Sequence, residues 1–272
     1  MVTNLFRNLY YAAIAKYSAS KKIGIFFTLT TLSVKQRMFK KASEPVHEVF
    51  FRYKISGSDY ASLSYLYKEV FCSGDYFLKL ASKEPVIIDC GANIGMATLY
   101  FKQLFPAARI MAFEANPNIY ELLKKNIENN NITNTELYNV ALYNEEKELS
   151  FFTGDDSGNL RGSVMQGRGR NNEVIVKAQK LSGYLRKIEK ADIIKMDVEG
   201  AELQIIQDLF DEGLLQKADQ YIIEYHHNIG GERPALSEFL RKFESNGFGY
   251  SIRAKFYHLK NFQDILLYFY KL

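Results

Sequence analysis

The chain reads as an α/β protein built on a Rossmann-like, mostly parallel sheet, preceded by a helical appendage. Three observations predict this. From Pro85 onward, short apolar runs alternate with amphipathic segments of helical length, the pattern of strands joined by crossover helices. The first run, Val86-Ile87-Ile88-Asp89, passes through the small-residue turn Cys90-Gly91-Ala92-Asn93-Ile94-Gly95 into an apolar stretch, Met96 to Phe105. A strand feeding a helix through such a turn forms the ligand crevice of open α/β sheets. The last two apolar runs, Phe248 to Arg253 and Ile265 to Tyr270, have no helical pattern between them, so an antiparallel edge is expected.

The other elements follow in order. Residues 1–84 are expected to form the appendage and 85–272 the main domain. Leu5, Leu9, Ala12 and Ala13 recur at helical spacing, and Gln36 to Lys41 reads as part of a second helix. Val49 to Ile55 reads as one strand ending at a Gly57 turn, and Asp59 as the cap of a helix from Tyr60 to about Phe71. In the main domain a second strand is expected over Arg109 to Phe113. Asn116 and Pro117 then mark the start of a helix reaching about Asn129. A third strand is expected over Glu136 to Ala141. Lys147 to Phe152 and Glu173 to Ala178 alternate in polarity and read as a hairpin. A fourth strand, Asp192 to Val198, precedes a helix from about Ala201 to Phe210. A fifth, Gln220 to Tyr225, precedes a helix opened by Pro234 and ended by Gly247.

Composition bounds the function. A chain of 272 residues, 47% hydrophobic, suffices for one large core. Cys72 and Cys90 form neither a Cys-x-x-Cys pair nor a disulfide framework, which fits a reducing cytoplasm. The net charge of +4 is unevenly spread: residues 1–43 carry Arg7, Lys16, Lys21, Lys22, Lys35, Arg37, Lys40 and Lys41 and no acid, so the remainder is net acidic. The apolar stretch Ile23 to Leu32 is too short to span a bilayer, and Ser33-Val34-Lys35 is a poor signal-peptidase site. A cytoplasmic protein is expected, either soluble with a solvated basic helical face or peripherally bound to a membrane through residues 1–43.

Four clusters carry candidate chemistry. In the first, Asp89 ends a strand, where a carboxylate repels a diphosphate and attracts a cation. S-adenosylmethionine, with its sulfonium and ammonium, suits such a site. Gly91 and Gly95 allow close backbone approach. Asn93 replaces the second glycine of Gly-x-Gly-x-x-Gly, which counts against a dinucleotide. In the second, Glu114 ends the next strand about twenty residues on, where an acid grips two vicinal ribose hydroxyls. In the third, Lys195-Met196-Asp197-Val198-Glu199-Gly200-Ala201-Glu202, Asp197 is expected to face the reactive end of a ligand. Glu199 is expected to cap or line the same crevice, and Glu202 to favour a helix N-terminus electrostatically. In the fourth, Glu224 and His226 share one strand face, and a histidine there can take a proton from a hydroxyl. Asp197, Glu224 and His226 together are also a set that can hold a divalent ion.

With these clusters in order, the chain resembles the FkbM family of S-adenosylmethionine-dependent methyltransferases. The matching pieces are Ile88 to Gly95, Phe113-Glu114-Ala115-Asn116-Pro117, Asn139-Val140-Ala141-Leu142, Ile194 to Glu202 and Ile223-Glu224-Tyr225-His226. The resemblance implies a class I methyltransferase fold with strand order 3-2-1-4-5-7-6, and O-methylation of a sugar, glycan or natural product. It also implies that Asp89, Gly91, Asn93, Gly95, Glu114 and Ala141 line the cofactor pocket. Asp197 and His226 are the expected bases, with Phe152, Tyr225 and the Ser163 loop contributing to the acceptor. Where the family often has leucine-aspartate, this chain has Leu181-Ser182, and the serine is expected to cap a helix in its place. Two rivals stand beside this reading. One is a non-catalytic S-adenosylmethionine-binding or membrane-docking protein. The other is a nucleic-acid or protein methyltransferase; Asp197-Val198-Glu199-Gly200 is unlike the Asn/Asp-Pro-Pro-aromatic turn of amino-methylating enzymes, so no nucleic-acid partner is expected.

Overall fold

The computed structural model describes residues 2–39, 45–153, 172–229, 235–254 and 263–272. The expected Ser163 loop, Pro234, Lys40 and Lys41 lie outside them. A seven-stranded sheet dominates, made of β3 (Val86–Cys90), β4 (Arg109–Phe113), β5 (Thr135–Tyr138), β9 (Ala191–Met196), β10 (Ala218–His227), β11 (Phe248–Ala254) and β12 (Gln263–Lys271). Its order is β5-β4-β3-β9-β10-β12-β11, or 3-2-1-4-5-7-6 when only its own strands are counted. The first five run parallel, and β12 is antiparallel to both β10 and β11. The order reverses beside β3, between β4 and β9, so the crevice opens at the carboxyl ends of those strands.

Alternating strand residues feed two cores, as a period of two requires. Ile87 and Ile110 face Leu99 and Phe101 of α4 (Met96–Leu104) and Leu123 of α5 (Pro117–Asn129). Ile88 and Ile194 face the other side, among Leu185 of α6 (Leu181–Leu185), Ile205 and Leu209 of α7 (Glu202–Asp211), and Phe239 and Phe243 of α8 (Leu236–Glu244). Asn116 caps α5 by accepting from the Asn118 N–H, with Pro117 at the first helical position.

The leading segment shares the first of these cores. Ile25 and Leu29 of α2 (Ala19–Met38), which pairs with α1 (Val2–Ile14), pack with Phe50, Ile55 and Leu63 into the cluster that holds Leu99 and Phe101. The second helix is therefore much longer than Gln36 to Lys41. The expected strand over Val49–Ile55 is a hairpin instead, β1 (Val46–Phe50) with β2 (Tyr53–Gly57), because Phe51 takes a left-handed φ of 56° and turns the chain. Asp59 caps α3 (Tyr60–Leu66) by accepting from Ser62. A π-helical turn, Tyr67–Cys72, then replaces the last turn of the expected helix. The segment is latched to the glycine turn by Asn126 of α5. Its side-chain oxygen accepts from the Ser56 N–H (2.7 Å), and its amide donates to Ser56 O (2.9 Å) and Ile94 O (2.8 Å).

The third expected strand is split. β5 stops at Tyr138, where the Asn139 amide donates to Glu114 O and Ala115 O. The chain then joins a separate three-stranded sheet, β6 (Ala141–Tyr143), β8 (Asn172–Lys180) and β7 (Lys147–Thr153), of which β7 and β8 are the expected antiparallel pair. Ser182 does not cap α6, which begins one residue earlier. Its hydroxyl donates to Asp208 of α7 (3.1 Å), and Lys180 pairs with the same carboxylate at 2.9 Å.

Candidate functional site

A cleft opens at the exits of β3, β4 and β9. Its walls include Gly91, Asn93, Phe113, Glu114, Ala141, Phe151, Asp197 and Glu199. Gly91 has φ 74°, and a Cβ there would stand 1.8 Å from the Asp197 backbone oxygen. Both facts demand glycine, because an L side chain is disfavoured in that region and the neighbour is backbone. Gly91→Ala should therefore cost several kcal/mol, on the order of 3. A thermal melt should show the variant far below wild type, and an unchanged melt would contradict the geometry. Gly95 serves another purpose. A Cβ there would meet Leu123 at 2.7 Å, so this glycine lets α4 pack on α5 and does not line the cleft.

Glu114 is nearly buried at the base of the cleft. One carboxylate oxygen accepts from the Asn93 N–H (2.9 Å), the other from the Asn116 N–H (2.8 Å). Burial pushes its pKa up to about 7, against the pull of those two donors and Lys195. Asn93 itself has φ 53°, which asparagine tolerates better than most residues, and this turns its N–H toward Glu114.

Asp89 corrects the sequence expectation. It is fully buried and outside the cleft wall. Thr98 Oγ1 donates to its Oδ2 (2.7 Å), and the Lys195 ammonium stands 3.2 Å from its Oδ1. That last contact is ionic without hydrogen-bond geometry; Lys195 donates instead to Gly91 O at 2.7 Å. Burial works against a charged Lys195, but Asp89 and Asp197 hold its pKa above the usual lysine value. The charge of Asp89 is thus spent inside the fold. Its carboxylate braces the glycine turn through Lys195 and faces the interior, behind the cleft wall. Lys195 stood in the sequence cluster without a role, since nothing in a strand pattern shows which residue answers a buried acid.

The exits of β9 and β10 gather carboxylates around His226. His226 Nδ1 is 2.8 Å from Glu202 Oε1, and Nε2 faces Asp197 (3.8 Å), Glu199 (3.6 Å) and Asp264 of β12 (3.9 Å). Burial alone would lower the histidine pKa, but Glu202, Asp197 and Glu224 raise it to about 9. The ring of carboxylates favours the imidazolium form, which weighs against the expected role of His226 as a base. Glu202 is also more than a charge at a helix start. It is buried, accepts from the Gly200 N–H (3.1 Å) and orients the imidazole. Burial opposes its ionisation, yet His226 and the local N–H donors keep its pKa below the usual range. Glu224 shares the His226 side of β10, as the alternation predicts. Burial, with Asp197 and Glu69, pushes its pKa well up.

Two further carboxylates were missed in the sequence. Glu69 arrives from the π-helical turn, and Asp264 from the strand paired in register with His226. A π-helical turn leaves no mark on a hydrophobic pattern, although such turns recur at functional sites. Among the described residues, three groups could hold a metal ion: Asp197, Glu199 and His226; Glu224, His226 and Asp264; and Glu69, Asp197 and Glu224. The ligand atoms of each lie within 4.8 Å of one another. Glu199 holds φ 56°, an uncommon conformation for glutamate that aims the loop after β9. Tyr225 is a core residue packed on Phe239 (4.9 Å), so it corrects an expected acceptor contact. Phe113 and Phe151 are the aromatic residues among the described cleft lining, and Phe152 is outside it.

The family model "Methyltransferase FkbM domain" matches residues 89–250. The chain belongs to the FkbM methyltransferase family. Curated relatives agree. Methyltransferase sdnD of Sordaria araneosa is 28% identical over 215 residues, covering 68% of this chain and 81% of the relative. Methyltransferase 1 of Beauveria bassiana is 29% identical over 210 residues, covering 70% and 82%. Among solved structures, the FkbM methyltransferase of Methylobacillus flagellatus aligns over 99% of this chain and 59% of its own, with TM-score 0.49 and 14% identity. The M. jannaschii protein TYW2 in complex with AdoMet aligns over 85% and 88%, with TM-score 0.47 and 16% identity. Within this FkbM fold, Gly91, Asn93, Glu114, Ala141 and Asp197 surround one cleft, whereas Asp89 and Gly95 stand behind it.

Proposed function

We propose that this FkbM-family protein transfers a methyl group from S-adenosylmethionine to a hydroxyl oxygen of a sugar, glycan or natural product. The observation that carries the reading is Glu114. Each of its carboxylate oxygens is fixed by one backbone N–H, which leaves an acceptor position on each for two vicinal ribose hydroxyls. The cradle fits the donor on a second count. Gly91 gives bare backbone at the cleft, and Asp197 and Glu199 set negative charge where a sulfonium and ammonium would lie. Gly91, Asn93, Glu114 and Ala141 would hold the nucleoside. The donor supplies an electrophilic methyl group on a sulfonium whose sulfur leaves as a neutral thioether.

The chain's own residues divide the remaining work. Asp197 lines the cleft and takes the proton of the acceptor hydroxyl as its oxygen gains the methyl group. His226, protonated and held by Glu202, keeps the surrounding carboxylates in place and moderates their repulsion. Glu224, on the same side of β10 as His226, adds to the carboxylate cluster behind Asp197, and burial with its acidic neighbours raises its pKa. Positioning both reactants supplies most of the acceleration. Asp197→Asn should lower turnover at saturating donor by roughly 10²- to 10⁴-fold, and donor affinity should fall as well, because one of the two carboxylates facing the cation is lost. Single-turnover kinetics with a glycoside acceptor would measure this, and intact turnover would remove Asp197 as the base.

A further inference from the structure

We propose that the outer face of α1 and α2 docks on an anionic lipid bilayer. α2 is apolar on two opposite faces. Ile25, Leu29 and Leu32 are buried in the core, while Ile23, Phe27, Val34 and Met38 are exposed. Those four recur at intervals of four, seven and four residues, so they form one stripe along the helix. On α1, Leu5, Phe6, Leu9 and Tyr10 form a second exposed apolar face. Phe6 is 67% exposed, Phe27 63% and Met38 70%, so this surface is far from the solvated basic face that the sequence favours.

Charge names the occupant. Residues 1–43 contain no acid. Arg7, three residues before Tyr10, and Arg37, three residues after Val34, are exposed beside the two stripes; Lys16 is exposed at the turn between the helices, and Lys16 and Lys22 flank a shallow hollow there. Lys35 is already tied to Glu48. Apolar residues bordered by cations are what an interfacial helix presents to headgroups and acyl chains. No helix among the described residues is long and apolar enough to cross a membrane, so the contact would be peripheral. A second copy of the chain is the rival occupant. In a two-fold dimer the patch meets itself, which would gather the cations of both copies, Arg7, Lys16 and Arg37 among them, at one interface with no acid in the segment to pair with them.

The test uses the full chain and a Phe6→Glu/Phe27→Glu variant. Both side chains are exposed, so the fold should survive, and matching melting curves would establish that. Cosedimentation is measured with phosphatidylcholine vesicles and with vesicles containing about 30 mol% phosphatidylserine. The wild type should bind the anionic vesicles at least about tenfold more tightly than the variant or the neutral vesicles. Binding should weaken in about 0.5 M salt, where screening shortens to a few Å. Equal binding by wild type and variant, or no binding by either, would overturn the proposal. So would a wild-type dimer that the substitutions convert to a monomer. Donor affinity should be the same in both proteins, so a failure here leaves the methyl-transfer reading intact.

Discussion

Glu114→Ala should abolish measurable donor binding while leaving the protein folded. Two hydrogen bonds to an ionised carboxylate are removed, each worth about 1.5–3 kcal/mol. Their loss corresponds to two or more decades in Kd, at about 1.4 kcal/mol per decade. Isothermal titration with S-adenosylmethionine and with S-adenosylhomocysteine measures it directly. The ionisation of Glu114 adds a second readout. Burial raises its pKa to about 7, so near pH 6 most molecules carry a protonated carboxyl. Affinity should therefore rise by about tenfold between pH 6 and pH 8 and then level off. Glu114→Gln keeps the size of the side chain but turns a donor toward one of the Asn93 and Asn116 amides. It should bind weakly and lose the pH dependence. An alanine variant with wild-type affinity would show that the ribose is held elsewhere.

How much of this was legible in the sequence depends on the range of the interaction. Strand and helix positions in the main domain were legible because period-two and helical patterns are local. Asn116 and Pro117 announce α5, and the apolar runs announce β3, β4, β9 and β10. Glu114 was legible because its place at a strand tip, after a glycine turn, follows from topology. Asp89 was misread for the opposite reason. The same local pattern describes it, but its charge is answered by Lys195, 106 positions away on the neighbouring strand. Glu202 and His226 show this again. Each belongs to a recognisable local motif, yet the imidazole meets its carboxylates only because two strand exits and the start of a helix converge on it. Glu69 was hidden by a π-helical turn, and the hairpin at Phe51 by a single left-handed residue. Local patterning therefore located the cleft, and only the assembled sheet decided which acids face it.

Glu202→Gln should remove a pH-dependent part of the stability. The folded-state pKa of His226 is raised from 6.5 to about 9, by Glu202 foremost among the charges that outweigh burial. A histidine with a raised folded pKa contributes stability that is fully present below pH 6.5 and is lost as pH rises through about 9. A shift of that size corresponds to something on the order of 3 kcal/mol. Wild-type melting temperature should fall across this window, and Glu202→Gln should flatten the fall and lower stability at pH 6.5. Glu114 produces a separate slope. Its folded pKa lies above the usual carboxylate value, so the folded state binds the extra proton between about pH 4.5 and 7, and stability declines there as pH rises. The two windows barely overlap, so melts at half-unit intervals distinguish them. Glu114→Gln should reduce the lower slope and Glu202→Gln the upper one, with the raised carboxyl of Glu224 leaving a remainder. A wild-type profile flat from pH 6.5 to 9 would mean that His226 is neutral when folded. It would then be restored as a candidate base beside Asp197.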